Sequence, residues 1–120
     1  MGTFRDLIAY KKAFALSMEI FYLTKNFPKE ETYSLVDQIR RSSRSVFACI
    51  AEAYKKRRYP NHFISKLTDS DMECGETQAW LDACLACKYL TQEKVEELNQ
   101  QCEEVSRLLN YMMNHPEKFQ

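Results

Sequence analysis

The chain has 120 residues, 45% of them apolar, and its 17 Lys plus Arg are balanced by 17 Asp plus Glu. That length fits a single domain over 1–120 with enough material for a core, and no apolar run approaches the roughly 20 residues that cross a bilayer. Two glycines leave nothing for a Gly-rich phosphate loop, and five cysteines, an odd number with no secretory leader ahead of them, suggest reduced thiols in a cytoplasm.

A first helix is expected from Thr3 to about Asn26, just before Phe27-Pro28. Thr3 followed by Asp6 is a variant of the capping box. Its apolar residues form two stripes. Phe4, Leu7, Ile8, Phe14, Met18, Phe21 and Tyr22 make a broad one; Ala9, Ala13, Leu16 and Ile20 make another, well over about 90° away. One stripe can face the chain's own core, and the other then needs a partner, so Ala9, Ala13, Leu16 and Ile20 are candidate contacts between copies. The alternative is a central helix buried on most sides.

A second helix follows the turn at Pro28–Glu31, with Thr32 as one possible cap and acids before it that suit a helix start. Leu35, Val36, Ile39, Val46, Phe47, Ile50 and Tyr54 would line its inner face, and Pro60 would close it. Residues 40–58 hold seven of the 17 basic residues and one acid, Glu52. If that stretch is one helix, at about 100° per residue, Arg40, Arg44, Lys55 and Arg58 fall within about 60° of one another, on a ridge roughly 27 Å long.

A third helix is expected from about Asn61 to Tyr89, carried by Phe63, Ile64, Leu67, Cys74, Leu81, Cys84 and Leu85. Its middle, Asp69 to Glu76, is acidic and holds Gly75, which suggests a close helix approach or a local kink. The fourth helix is the cleanest: Thr91 caps it, Glu93 sits in its first turn, and Val95, Leu98, Cys102, Val105, Leu109 and Met112 alternate steps of three and four. Asn114-His115-Pro116 ends it. Four long helices with short connections predict an all-α fold, an antiparallel up-down-up-down four-helix bundle.

The string Leu35-x-x-x-Ile39-Arg40-Arg41-Ser42-Ser43-x-Ser45-Val46-x-Ala48-x-Ile50-Ala51-Glu52 resembles the signature of a bacterial four-helix-bundle family encoded in intervening sequences of 23S ribosomal RNA genes. Its members are often mislabelled as a small-subunit ribosomal protein. Phe4-x-x-Leu7, Leu23-Thr24, Phe27-Pro28, Tyr33-x-Leu35 and Tyr89-Leu90 are similar to that family as well, so the likeness covers nearly the whole chain. It implies a bundle assembling as a ring-like homo-oligomer, a homopentamer. It also implies kinship to the accessory variability determinant proteins of diversity-generating retroelements, which associate with a reverse transcriptase and nucleic acid. Phe47, Cys49 and Ala53 stand where the resemblance leads one to expect Pro, Asn and Gly, so a kink in the second helix is not expected here.

No constellation of residues points to catalysis, a metal or a cofactor, and no enzyme is expected. Cys84-x-x-Cys87 has no second pair, and its thiols read as core. His62 and His115 follow Tyr59 and Met112 by three positions, so the Glu-x-x-His of di-iron bundles is missing. Tyr33, Tyr54, Tyr59, Phe63 and Trp80 could stack on bases, but at helical spacing they read as core, and Trp80 as an interface anchor. Arg40, Arg41, Arg44, Lys55, Lys56, Arg57 and Arg58 are the candidate phosphate contacts. The expectation is a non-enzymatic oligomeric accessory protein that binds RNA or DNA without sequence preference. The alternative is a protein-interaction scaffold whose arginines pair with the acids of the third helix or of a neighbouring copy.

Overall fold

Thr3 and Asp6 do cap each other: Thr3 Oγ1 accepts the Arg5 N–H at 3.1 Å, and Asp6 Oδ2 accepts the Thr3 N–H at 3.1 Å. What they close is a single 3-10 turn, Phe4–Asp6, because Leu7 is extended (φ −68°, ψ 131°) and breaks the helical phase. The long helix α1 starts after it, at Ile8–Thr24. The computed structural model describes residues 2–120, and among them there is no strand. Three further helices follow: α2 at Leu35–Lys55, α3 at Pro60–Ala86 and α4 at Gln92–Asn114. Each packs on the helix before and after it and α4 returns to α1, giving a body of 44 × 24 × 22 Å.

The caps differ from expectation in instructive ways. Ser34, not Thr32, precedes α2 and makes no side-chain cap; instead the Glu31 carboxylate accepts the Leu35 N–H at 3.2 Å. Pro60 does not close α2. It is the first residue of α3, where a missing N–H costs nothing. Between Lys55 and Pro60 the chain turns, so Lys56, Arg57 and Arg58 lie beyond the helix. The α3 end is a Schellman turn, with the Tyr89 N–H on the Cys84 carbonyl and the Lys88 N–H on that of Leu85. Lys88 takes the left-handed position there (φ 63°), usually given to glycine. At Thr91 the expected cap is present, accepting the Lys94 N–H at 3.1 Å.

The core is two apolar clusters. One joins Ala9, Ala13, Val46, Ile50, Phe63, Leu67, Val105 and Leu109; the other joins Leu16, Ile20, Leu35, Ile39, Leu81, Val95 and Leu98. A tier of buried hydroxyls lies at the level of residues 42–46 of α2. Ser17 and Ser43 lie 3.4 Å apart across α1 and α2, Thr77 Oγ1 is 2.9 Å from Ser42 Oγ across α3 and α2, and Ser70 donates to the Val46 carbonyl at 2.8 Å.

Two expectations are corrected here. Ala9, Ala13, Leu16 and Ile20 are only 1–3% exposed within the single chain, so they have no surface left for a second copy. Ala9 and Ala13 pack into the first of the two clusters, and Leu16 and Ile20 into the second. It is the broad aromatic stripe that faces out, with Ile8, Phe14 and Tyr22 exposed. Gly75 marks neither a close approach nor a kink: a Cβ built on it meets nothing within 4 Å, and α3 is unbroken through it.

Candidate functional site

The α2 sequence divides cleanly by helical phase. Leu35, Ile39, Ser42, Ser43, Val46 and Ile50 are buried; Arg41, Arg44, Ala48 and Lys55 lie on the opposite, exposed face. Among the described residues, none of the seven cations from Arg40 to Arg58 has a carboxylate within ion-pair distance. Glu52, the one acid among them, is held by Lys66 of α3 at 2.7 Å. Asp69, at the head of the acidic stretch, also faces Lys66, at 3.8 Å. The expected alternative of arginines pairing with the acids of α3 is therefore not met inside the chain.

Arg40 separates from the rest. Its Nε donates to Thr24 Oγ1 at 2.9 Å and its Nη2 to the Phe21 carbonyl at 3.3 Å, with the guanidinium 4.6 Å over the Phe21 ring. Those acceptors are the end of α1, where carbonyls lack helical partners and a cation is favoured. Burial, and then the charge of Arg44, lower the Arg40 pKa from its ordinary value. Arg44 (5.6 Å) and Lys25 (5.0 Å) also lie against the Phe21 ring, so three cations gather on one aromatic ring with no acid paired to Arg40, Arg44 or Lys25 among the described residues. Sequence reasoning missed Lys25. Its place one turn beyond Phe21 was the available signal.

Beyond α2 lies a second cationic group. Lys55, Arg57, Arg58, Tyr59 and Gln120 line an open cavity of about 570 Å³. Arg57 is fixed there, its guanidinium 4.0 Å over the Tyr54 ring and its Nη1 donating to the Tyr54 carbonyl at 2.9 Å. Lys56 is exposed on the turn. The structure thus splits the sequence ridge into Arg41 and Arg44 on the helix face and Lys55 to Arg58 at its end. Arg58 does not continue the line of the helix.

Of the expected core aromatics, Phe63 and Tyr54 are buried. Tyr33 (94% exposed) and Tyr59 (57%) are not, because both fall in the connections flanking α2. Trp80 is half-buried beside Leu35 and Gln38, its Nε1 donating to Glu76 at 3.2 Å. Cys74, Cys84 and Cys102 are buried thiols; Cys87 is exposed, against its expected core placement, since α3 has ended at Ala86. Burial pushes Cys84 and Cys102 up to about 12, which keeps both as thiols near neutral pH.

No described helix is long and apolar enough to cross a membrane. In comparison with solved structures, the chain is similar to a protein of unknown function from the S23 ribosomal protein family of Bacteroides thetaiotaomicron. Their identity is 29% and the TM-score 0.80, over 89% of this chain and 96% of that one. No curated protein matches. The family model described as 23S rRNA-intervening sequence protein matches residues 5–111. That span takes in α1, α2, α3 and most of α4, with Arg40, the hydroxyl tier and the exposed cations of α2 inside it, and the chain belongs to the 23S rRNA-intervening sequence protein family.

Proposed function

We propose that this protein is a non-enzymatic, cytoplasmic accessory protein that binds RNA or DNA without sequence preference. Its contacts are the outer face of α2 and the turn after it, through Arg41, Arg44, Lys55, Lys56 and Arg58. One observation carries this: residues 40–58 hold seven cations, and among the described residues no acid lies within ion-pair distance of any of them. Unneutralised cations on a convex helix face suit phosphates, where displaced counterions supply the binding free energy. We further propose an antiparallel up-down-up-down bundle that assembles as a ring-like homo-oligomer, a homopentamer. Ile8, Phe14 and Tyr22, exposed on α1, support self-association because they form an apolar surface the chain leaves uncovered.

The test is fluorescence anisotropy with labelled single- and double-stranded oligonucleotides over a salt series. Affinity is expected to fall steeply with salt. The double change Arg41→Glu with Arg44→Glu should weaken it by about tenfold or more while the mass by light scattering stays constant. Arg40 is left intact because it holds α1. No binding at low salt with high-micromolar protein would remove the proposal.

A second function, a scaffold whose arginines bind acids of another copy or of a partner protein, has one observation in its favour. Glu73 and Glu76 of α3 have no cation within ion-pair distance among the described residues, and burial, with the charges of Glu76 and Asp69, pushes the Glu73 carboxyl up. Under this function the same double variant would lower the mass.

A further inference from the structure

The cavity beyond the end of α2 differs from the helix face in shape and in chemistry. It is a recess of about 570 Å³, within the size range of small-ligand sites, bordered by Lys55, Arg57, Arg58, Tyr59 and Gln120. Three of those five side chains are cationic. Asp6, an acid of the adjoining cleft, accepts N–H groups of Gly2 and Thr3, each at 3.1 Å, and does not line this cavity. Arg57 is held rigidly, since its guanidinium lies on the Tyr54 ring and one N–H is fixed on the Tyr54 carbonyl. Its remaining donors form a planar fork that suits two phosphate oxygens at once. The first turn of α3, opening at Pro60, adds the positive end of a 27-residue helix beside the same cavity. The half-exposed Tyr59 ring, in edge contact with His62 at 6.0 Å, borders it with an apolar wall.

We propose that this cavity binds a terminal phosphate group of two or more charges, a phosphomonoester or pyrophosphate, with Arg57 as the oriented fork and Lys55 and Arg58 as flanking charges. A phosphodiester in mid-strand brings one charge to a site. Three cations bordering one recess match a denser anion, and a chain end or a free oligophosphate can enter where continuous duplex cannot. The inference goes beyond the nucleic-acid function above: it shares Lys55 and Arg58 with it, but a small anion needs only the cavity and not Arg41 or Arg44.

The experiment is isothermal titration of the full chain with inorganic pyrophosphate at low salt. Saturable binding is expected with one site per chain and a Kd below about 1 mM. Lys55→Ala with Arg58→Ala, both exposed, should weaken it by about tenfold or more, and the single charge reversal Arg58→Glu should do the same. Arg41→Ala with Arg44→Ala should leave it within about twofold, because those side chains lie on the helix face. Absence of saturable heat, or equal weakening by both pairs of changes, overturns the site. The source of the phosphate is read by comparing 5′-phosphorylated and 5′-hydroxyl forms of one short oligonucleotide. A preference for the phosphorylated form that the Arg58→Glu variant abolishes assigns the cavity to strand ends. Equal affinity for both, with pyrophosphate still bound, assigns it to a free oligophosphate.

Discussion

Arg40 Nε and Thr24 Oγ1, sixteen residues apart in sequence, meet at 2.9 Å, and through them the second helix caps the first. The Thr24 hydroxyl lies 2.8 Å from the Ile20 carbonyl and 3.0 Å from that of Phe21, so one charged fork and one hydroxyl serve the last turn of α1. Arg40, one of the seven candidate phosphate contacts, is thus a structural cation.

Replacing Arg40 by Ala should therefore destabilise the fold by about 1–3 kcal/mol, since it strips acceptors at a helix end and removes the stack on Phe21. Arg41→Ala and Arg44→Ala, on the exposed face, should each stay within about 0.5 kcal/mol. Arg40→Lys should recover less than half of the loss, because an ammonium cannot span both acceptors while lying flat on the ring. Urea midpoints of the four variants test the ranking.

The hydroxyl pair Thr77 and Ser42 should behave as a coupled unit. Thr77→Val leaves the Ser42 hydroxyl short of a partner in a buried site and should cost about 1 kcal/mol. Adding Ser42→Ala should then cost less than the same change made alone, with a coupling of about 0.5–1 kcal/mol from a double-mutant cycle. Strict additivity would show that the two groups do not interact.

Two backbone positions are open to improvement. Gly75 sits in mid-helix with open space where a Cβ would go, so Gly75→Ala should stabilise by about 0.5–1 kcal/mol. Lys88 holds a left-handed backbone that glycine adopts without strain, and Lys88→Gly should stabilise by about 1 kcal/mol. Thermal melts should show both transitions moving up.

The Tyr89 hydroxyl donates to Glu31 at 2.7 Å, and this bond has a pH signature. It holds the Glu31 carboxyl below its ordinary 4.5 and, with burial, pushes Tyr89 up to about 12 from 10. A lowered acid stabilises the fold above pH 4.5 and loses that contribution as pH falls through the folded value. A raised phenol stabilises below pH 10 and loses its contribution as pH rises toward 12. The stability gap between the native chain and Tyr89→Phe should therefore be flat between pH 5 and 9 and narrow at both extremes. A gap that stays constant down to pH 2 would mean the bond does not form.

The elements legible in advance were those whose pattern was redundant. Helix α4 had a Thr cap and six apolar residues in unbroken alternation, and all six are buried. The inner face of α2 was likewise readable apart from Phe47, which is only half-buried against Phe14 and Tyr10. The α1 stripes face opposite to expectation, because hydrophobicity alone favours seven large side chains over a stripe with two alanines, whereas the stripe with the alanines is the buried one. Leu7 hid the break that put Phe4 out of phase. The buried serines were invisible to an apolar template, although Ser42 and Ser43 lie at core phase and could have been placed by angle alone. Arg40 could not be told from Arg44 in sequence: what separates them is the end of a different helix.

The tier of hydroxyls between two hydrocarbon halves has one more implication. A neighbouring helix that slid by one turn, about 5.4 Å, would drive a serine into leucine surroundings and strand its former companion. Interchangeable leucines tolerate several vertical alignments, but Ser17, Ser43, Ser42, Thr77 and Ser70 coincide in one only. They act as a vernier mark cut into an otherwise greasy column, trading a little cohesion for a single setting.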